Sequence, residues 1–458
     1  MLGICDRRTR RSFLQAGSLG LGSLTLPQLL VAETLSPAVV RDRSVVFLFM
    51  HGGPPQTETF DPKMSAPAEY RCFNGEINTS IPGVTYGASL EQLAKLAHQT
   101  SIVRSFHTGD AAHNLKPIVS RHSLDANLGS LYSRVSGITD KKSGLPTNAI
   151  LYPRAVDEDA QPGTKAFGSF SATGKLGTAY APFVPSGDGP LLSNMKLNLP
   201  IDRVDDRRSL LRQLDGFKRK LDANGAMEGM DRFNRQAFDV ILGGATKAFD
   251  LSEEDPKTIA SYDTSGIIDP NKISKKWNNH KNYRDHGQSL GKLMLLARRL
   301  CEHGSRFVTV TTNFVWDFHA DQNNATLNEG MQYVGRPFDH AVAAFIKDVQ
   351  QRGLSDKILL VACGEMGRTP AINAKGGRDH WARLAPLLIS GGGLNMGQVI
   401  GQSDAHAGEP NSDPIGIPDL ISTILHSVID LAELRLQPGV PNPLLRLLES
   451  GQPIDGLV

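Results

Sequence analysis

Cysteine is scarce in this chain of 458 residues. Its four copies, Cys5, Cys72, Cys301 and Cys363, show no paired spacing, so a disulfide framework is not expected. Cys301 falls in an expected helix and Cys363 at an expected strand end, and both read as small buried hydrophobes rather than ligands. A surplus of one charge is missing too: 49 Lys and Arg stand against 47 Asp and Glu, for a net charge of +2. Four arginines lie in the first 32 residues (Arg7, Arg8, Arg10 and Arg11, against Asp6), so the body is almost neutral and carries no nucleic-acid footprint. Beyond the N-terminus no run is long and apolar enough for a stable membrane span. Extensive disorder is excluded, because 40% hydrophobic and 21% charged residues are ordinary for a packed protein.

The N-terminus is the first positive feature. Thr9-Arg10-Arg11-Ser12-Phe13-Leu14 precedes a weakly apolar, glycine-rich run, "SLGLGSLTLPQLLVA". The stretch resembles the bacterial twin-arginine export signal, with Ala32 as the cleavage residue. The resemblance implies a signal peptide over residues 1–32, the twin-arginine export machinery as a partner, and a periplasmic or secreted location. Removing Cys5 leaves an odd number of cysteines, which suits a chain folded before export.

Continuous apolar runs mark buried strands: "SVVFLFM" at 44–50, "SIVRSF" at 101–106, "RFVTVTT" from Arg306, "KILLVA" ending at Ala362 and "APLLISGGG" from Ala385. "NAILYP" and "KAFGSF" are weaker candidates, and Ala111 to about Tyr132 reads as helical. Leu290, Leu293, Leu296 and Leu300 share one face of a helix that stops at Gly304; Phe338, Val342, Phe345 and Val349 share one that stops at Gly353. Helix and strand alternate over about 140 residues, which predicts an α/β fold with a mostly parallel sheet covered on both faces. A charged helical pattern from Val204, followed by a polar stretch, reads as a helical insertion over about 204–282 in a domain spanning 40–450.

Polar clusters fall after the expected strands, and in such a sheet those ends share one edge. "MHGGPPQTETFDPK" offers a glycine turn with Thr57, Thr59, Glu58 and Asp61; alone it reads equally as a Gly-Pro turn with solvated acids. "SFHTGDAAHN" holds His107, Asp110 and His113, suited to a metal or a proton shuttle, or to a helix start capped by Asp110. In "TNFVWDFHADQN", Asp317 and His319 sit two apart, so an extended chain puts both side chains on one side; Zn²⁺ or Mn²⁺ accepts both donor types. "CGEMGRTPAINAKGGRDHW" packs Glu365, Arg368, Arg378, Asp379 and His380 between two apolar strands. Its guanidinium forks match phosphate or sulfate, and a structural ion-pair cluster is the other reading.

Together "FMHGGPPQTETFDPK", "LLARRLCEHGSRFVTV", "WDFH", "GEMGRTP", "GGRDHW" and "LISGGGLNMGQVIGQSD" resemble, over nearly the whole chain, a twin-arginine-exported bacterial family known as domain of unknown function 1501. That family is grouped with the alkaline phosphatase and sulfatase superfamily. The resemblance implies an alkaline phosphatase-like, doubly wound sheet with metal ions at the strand ends. It also implies an exported metal-dependent hydrolase of phosphate or sulfate esters, acting on a small-molecule or glycan anionic ester. Asp317, His319, Glu365 and His380, with Glu58 and His113, would hold a divalent metal (Zn, Mn or Ca), and Arg368 and Arg378 would grip the anion. Four departures stand out. Met50-His51-Gly52 has no Asp, Pro55 stands where family members commonly carry Ser, Glu58 stands where they carry Asp, and Gly364-Glu365-Met366 lacks the usual His. An activated water therefore replaces a covalent nucleophile, with Thr57 or Thr59 as the fallback. The alternative is a binding protein for anionic glycans on the same scaffold.

Overall fold

The computed structural model describes residues 39–185, 246–437, 440 and 442–458. The expected signal peptide and most of the expected helical insertion lie outside the described residues. The main sheet has seven strands: β1 (Ser44–Phe49), β2 (Ser101–Val103), β3 (Asn148–Leu151), β4 (Phe307–Thr311), β5 (Ile358–Cys363), β6 (Leu387–Gly391) and β7 (Val399–Ile400). Their spatial order is β7-β2-β6-β5-β1-β4-β3. Pairings of β1 with β4 and β5, β3 with β4, and β7 with β2 are parallel. Only β6 is antiparallel, to β5 on one side and β2 on the other.

All six residues of β1 are buried, because helices cover both faces. Alternation sends Val46 and Leu48 into one core and Val45, Phe47 and Phe49 into the other. The first core is closed by α2 (His280–Glu302) and α3 (Arg336–Gln351) through Leu290, Leu293, Phe338 and Phe345. The second is closed by α1 (Leu128–Ser136) and α4 (Ile417–Val428) through Leu128, Leu131, Leu420 and Ile424. Helix α2 ends just before Gly304 (φ 116°), whose backbone a side chain would strain.

Two local expectations give way to tertiary context. "KAFGSF" forms no strand, and only Leu128–Ser136 of the stretch after Ala111 continues as an α-helix. Residues 111–120 instead form a loop, in which the buried Lys116 ammonium binds Asp110 at 2.5 Å and the Ala112 carbonyl at 3.0 Å.

An ion-pair cluster fastens α2 to α3 and to the segment before α2. Arg298 bonds Glu254 (2.5 Å), Glu302 (2.7 Å) and Asp348 (2.8 Å), while Arg299 and Arg352 reach Glu254 at 3.0 and 2.8 Å. Burial alone would raise the Glu254 carboxyl, but the bonds from Arg298 and Arg299 outweigh it and bring it down to about 2. A depressed folded-state value stabilises the fold above the ordinary glutamate value of 4.5, and this contribution is lost as pH falls toward 2. Glu254→Gln is expected to lower stability by roughly 3 kcal/mol at pH 7, because it takes from the buried Arg299 guanidinium its carboxylate partner and from Arg298 one of three. Denaturation of both proteins at pH 7 and near pH 2.5 checks this: the gap closes in acid, and a gap unchanged by pH would contradict the assignment.

Candidate metal centre

Because β6 runs against its neighbours, the segment leading into it arrives at the rim where the other strands end. Phe49 pairs with both Thr311 and Cys363, and Cys363 and Val103 both pair with Leu387, so the ends are level. The loops after β1, β2, β4 and β5 and the residues before β6 therefore meet at one place. Their approach is close. Gly52 has φ 115°, and a Cβ there would lie 2.6 Å from the Asp317 amide nitrogen. The Val315 and Trp316 amides donate to the His51 carbonyl at 3.1 and 3.0 Å, and the Arg378 amide donates to the Phe318 carbonyl at 2.9 Å.

At this rim His113, Asp317, His319 and His380 each offer a ligand atom, and the four atoms lie within 4.8 Å of one another. The Nε2 atoms of His319, His113 and His380 stand 3.0, 3.4 and 3.4 Å from the same oxygen, Asp317 Oδ1. Behind the rings, His113 Nδ1 meets Glu365 at 2.8 Å and His319 Nδ1 meets Asp379 at 3.0 Å. A carboxylate on Nδ1 draws the ring proton there and turns the Nε2 lone pair toward the centre, the pattern of metal-binding histidines. Two carboxylates are themselves anchored. Glu365 accepts from the Gly52 amide at 2.9 Å, and the other Asp317 oxygen accepts from the Asn324 amide group at 2.8 Å.

Burial alone would raise the Asp317 carboxyl; the Arg368 guanidinium and the three imidazoles overcome it and hold the group well below the usual range. Burial likewise opposes charge on His113 and His319, but Asp317, Glu365 and Asp379 outweigh it and raise both imidazoles. His380 Nε2 is buried and makes no hydrogen bond, although it faces the cluster. A buried nitrogen without a partner beside an ionised carboxylate fits a cation ligand, and three imidazoles with one carboxylate suit a tetrahedral transition-metal ion.

Other expected site residues lie differently. Glu365 stands behind His113 as its orienting partner and is outside the four-residue cluster. Glu58 is also outside it: its oxygens bind Arg378 at 3.1 Å and the Phe73 amide at 3.0 Å. Arg378 is fully buried, and its remaining bonds go to the carbonyls of Thr369, Pro370, Tyr70 and Arg71. Arg368, equally buried, donates to the carbonyls of Gly53, Gly52 and Arg378 and to Asp317. Both guanidinium groups thus tie loops together instead of presenting forks to a ligand. Thr57 is buried too, with its hydroxyl 3.5 Å from Glu58. His107 is not in the cluster; its amide bonds the Ile415 carbonyl at 2.9 Å.

Sequence reasoning did not assign Asp379 or Asn324 to the site, since a partner of a ligand has no spacing signature of its own. His51 fills the end of β1, where an acid was missing. Its ring is enclosed by Phe49, Phe167, Phe170 and Phe314, and burial pushes it below the usual imidazole range.

The cluster opens into a cleft of about 440 Å³ lined by Thr164, Phe167, Asn282, Phe314, Asp321 and Asn323, among others. No described helix is long and apolar enough to cross a membrane.

The chain thus combines a mostly parallel α/β sheet with a His₃Asp cluster at its rim. The family described as "Protein of unknown function (DUF1501)" matches residues 42–457, and the chain belongs to it. No curated protein matches the chain. Among solved structures, the chain is similar to a Bacteroides thetaiotaomicron protein from a locus for metabolism of multiple glycosaminoglycans, at 9% identity, covering 90% of this chain and 75% of that one (TM-score 0.37). It is also similar to a sulfatase from Pseudoalteromonas sp. (10% identity, 88% and 72% covered, TM-score 0.35) and a phosphonate monoester hydrolase from Silicibacter pomeroyi (11% identity, 90% and 77% covered, TM-score 0.34).

The Asp379 side chain is exposed and meets the cluster only at His319, so Asp379→Asn is expected to fold normally and to weaken Zn²⁺ binding about 10–100-fold, as loss of a ligand's orienting partner does. Calorimetric titration with Zn²⁺ checks this. Unchanged affinity would separate Asp379 from the centre.

Proposed function

We propose that this protein is an exported, metal-dependent hydrolase of sulfate or phosphate esters on an alkaline phosphatase-like scaffold. The observation that carries the reading is the convergence of three Nε2 atoms on Asp317 Oδ1, with carboxylates behind two of the rings. Export rests on the Arg10-Arg11 leader, and the class of ester rests on the family motifs.

The donor set favours Zn²⁺ or Mn²⁺ over Ca²⁺, which takes oxygen ligands. Such a cation supplies Lewis-acid polarisation of an ester oxygen and of an attacking water. The chain's own residues do the rest. Glu365 and Asp379 fix the imidazoles, Arg368 keeps Asp317 ionised, and Asn324 sets the angle of that carboxylate. Phe167 and Phe314 pack against His113, tilted and edge-on respectively, and shield one side of the centre from water. No covalent nucleophile is assigned: Pro55 has no hydroxyl, and that of Thr57 lies inside the protein.

A glycan-binding protein without turnover is the second reading. It would hold the anion through the arginine loop, and the burial and engagement of Arg368 and Arg378 count against it.

Zn²⁺- or Mn²⁺-loaded protein is expected to hydrolyse 4-nitrophenyl esters of sulfate or phosphate and to lose that activity to a chelator. His380→Ala is expected to lower both metal content and turnover, the latter ~100-fold or more, through loss of a ligand. Elemental analysis alongside the rate assay decides. Equal, negligible metal in both proteins, or turnover indifferent to the chelator, would contradict the reading.

A further inference from the structure

We propose that the cleft selects singly charged esters, such as sulfate monoesters or phosphodiesters, over doubly charged phosphate monoesters. This rests on the hydrolase reading above and narrows its substrate class. The argument is electrostatic. Among the described residues, no lysine or arginine lines the cleft; its polar wall is Thr164, Asn279, Asn282, Asn323 and Asn324, and its one acid besides Asp317 is Asp321. A site for a phosphate monoester dianion would need cationic forks or a second positive centre to offset both charges.

The charges behind the wall give no surplus either. A divalent cation and the Arg368 guanidinium are balanced by the carboxylates of Asp317, Glu365 and Asp379, and Asp321 on the cleft wall adds a further negative charge. The Lys116 ammonium is neutralised by Asp110 at 2.5 Å. Lys375 lines an adjoining depression together with Asp321 and Asp379, not the cleft itself. A dianion entering this loaded centre meets about twice the repulsion that a monoanion does, because the Coulomb energy scales with the charge of the ligand.

The remainder of the wall suits an uncharged, hydroxyl-bearing leaving group. The Asn279 amide donates to Asn324 at 2.6 Å, and Asn324 donates to Asp317 at 2.8 Å, so the array is oriented from the metal centre outward. Phe167 and Phe314, with ring centroids 4.7 Å apart, add an aromatic surface beside it.

Calorimetry on Zn²⁺-loaded protein at pH 8 with methyl sulfate, dimethyl phosphate and methyl phosphate reads binding directly. Rates on 4-nitrophenyl sulfate, bis(4-nitrophenyl) phosphate and 4-nitrophenyl phosphate read turnover. At least one monoanionic ester is expected to exceed the dianionic one ~10-fold or more in affinity and in kcat/KM. Asn282→Lys adds a cation to the wall away from the ligands and is expected to narrow that ratio ~5-fold or more. Methyl phosphate binding as tightly as the monoanions, or a ratio unmoved by Asn282→Lys, overturns the charge preference and leaves the hydrolase reading intact. Preferential binding of monoanions with no ester turned over sinks the hydrolase reading and leaves the preference intact. Failure of every ester to bind overturns both.

Discussion

Three imidazole nitrogens face a single oxygen of a buried aspartate at the edge of this sheet. Two of the rings give their Nδ1 side to carboxylates, so their lone pairs point at an atom that is itself negative. Lone pairs do not tolerate that arrangement unless a proton or a cation lies between them. The raised imidazoles and the strongly depressed Asp317 carboxyl record the same fact from the two sides. The loop packing serves this arrangement. Arg368 joins Asp317 to the glycine turn after β1, Glu365 joins that turn to His113, and Asn373 ties the His319 carbonyl to Asp379.

The reversed strand makes the convergence possible. In a wholly parallel sheet the residues before β6 would lie at the opposite edge, some five residues of strand away, and His380 could not reach His113 and His319. As built, the ring centroid of His380 stands 4.2 Å from one and 4.5 Å from the other. The short ladder between Gly367–Arg368 and His380–Trp381 holds the two halves of that loop together, so one connection supplies a ligand, both orienting carboxylates and the guanidinium beside Asp317.

Much of this was legible in the amino-acid sequence, and the physics explains which parts were not. The long buried strands and the two heptad-like leucine and phenylalanine faces were readable, because a sheet covered on both sides demands continuous apolar runs and its helices an apolar stripe. Short strands such as Val399–Ile400 and the failed candidate "KAFGSF" show the limit: there, pairing partners decide and not local propensity. Within the site, Asp317, His319, His380 and His113 were identifiable as ligand types near strand ends. Their roles relative to Glu365, Glu58 and the arginines were not, because acid and guanidinium groups look the same in sequence whether they meet a ligand or each other. Arg378 and Glu58, 320 positions apart, neutralise one another in the interior, and only the fold brings them into contact. The absence of lysine and arginine from the cleft wall among the described residues is likewise a property of the assembled loops.

The central claim is that His113, Asp317, His319 and His380 form one cation site. Anomalous diffraction at the zinc absorption edge, from crystals of the protein grown with Zn²⁺, tests it most directly. The account predicts a single strong peak about 2.0–2.1 Å from all three Nε2 atoms and an Asp317 oxygen. A zinc peak bound elsewhere, with this cluster carrying none, would contradict it.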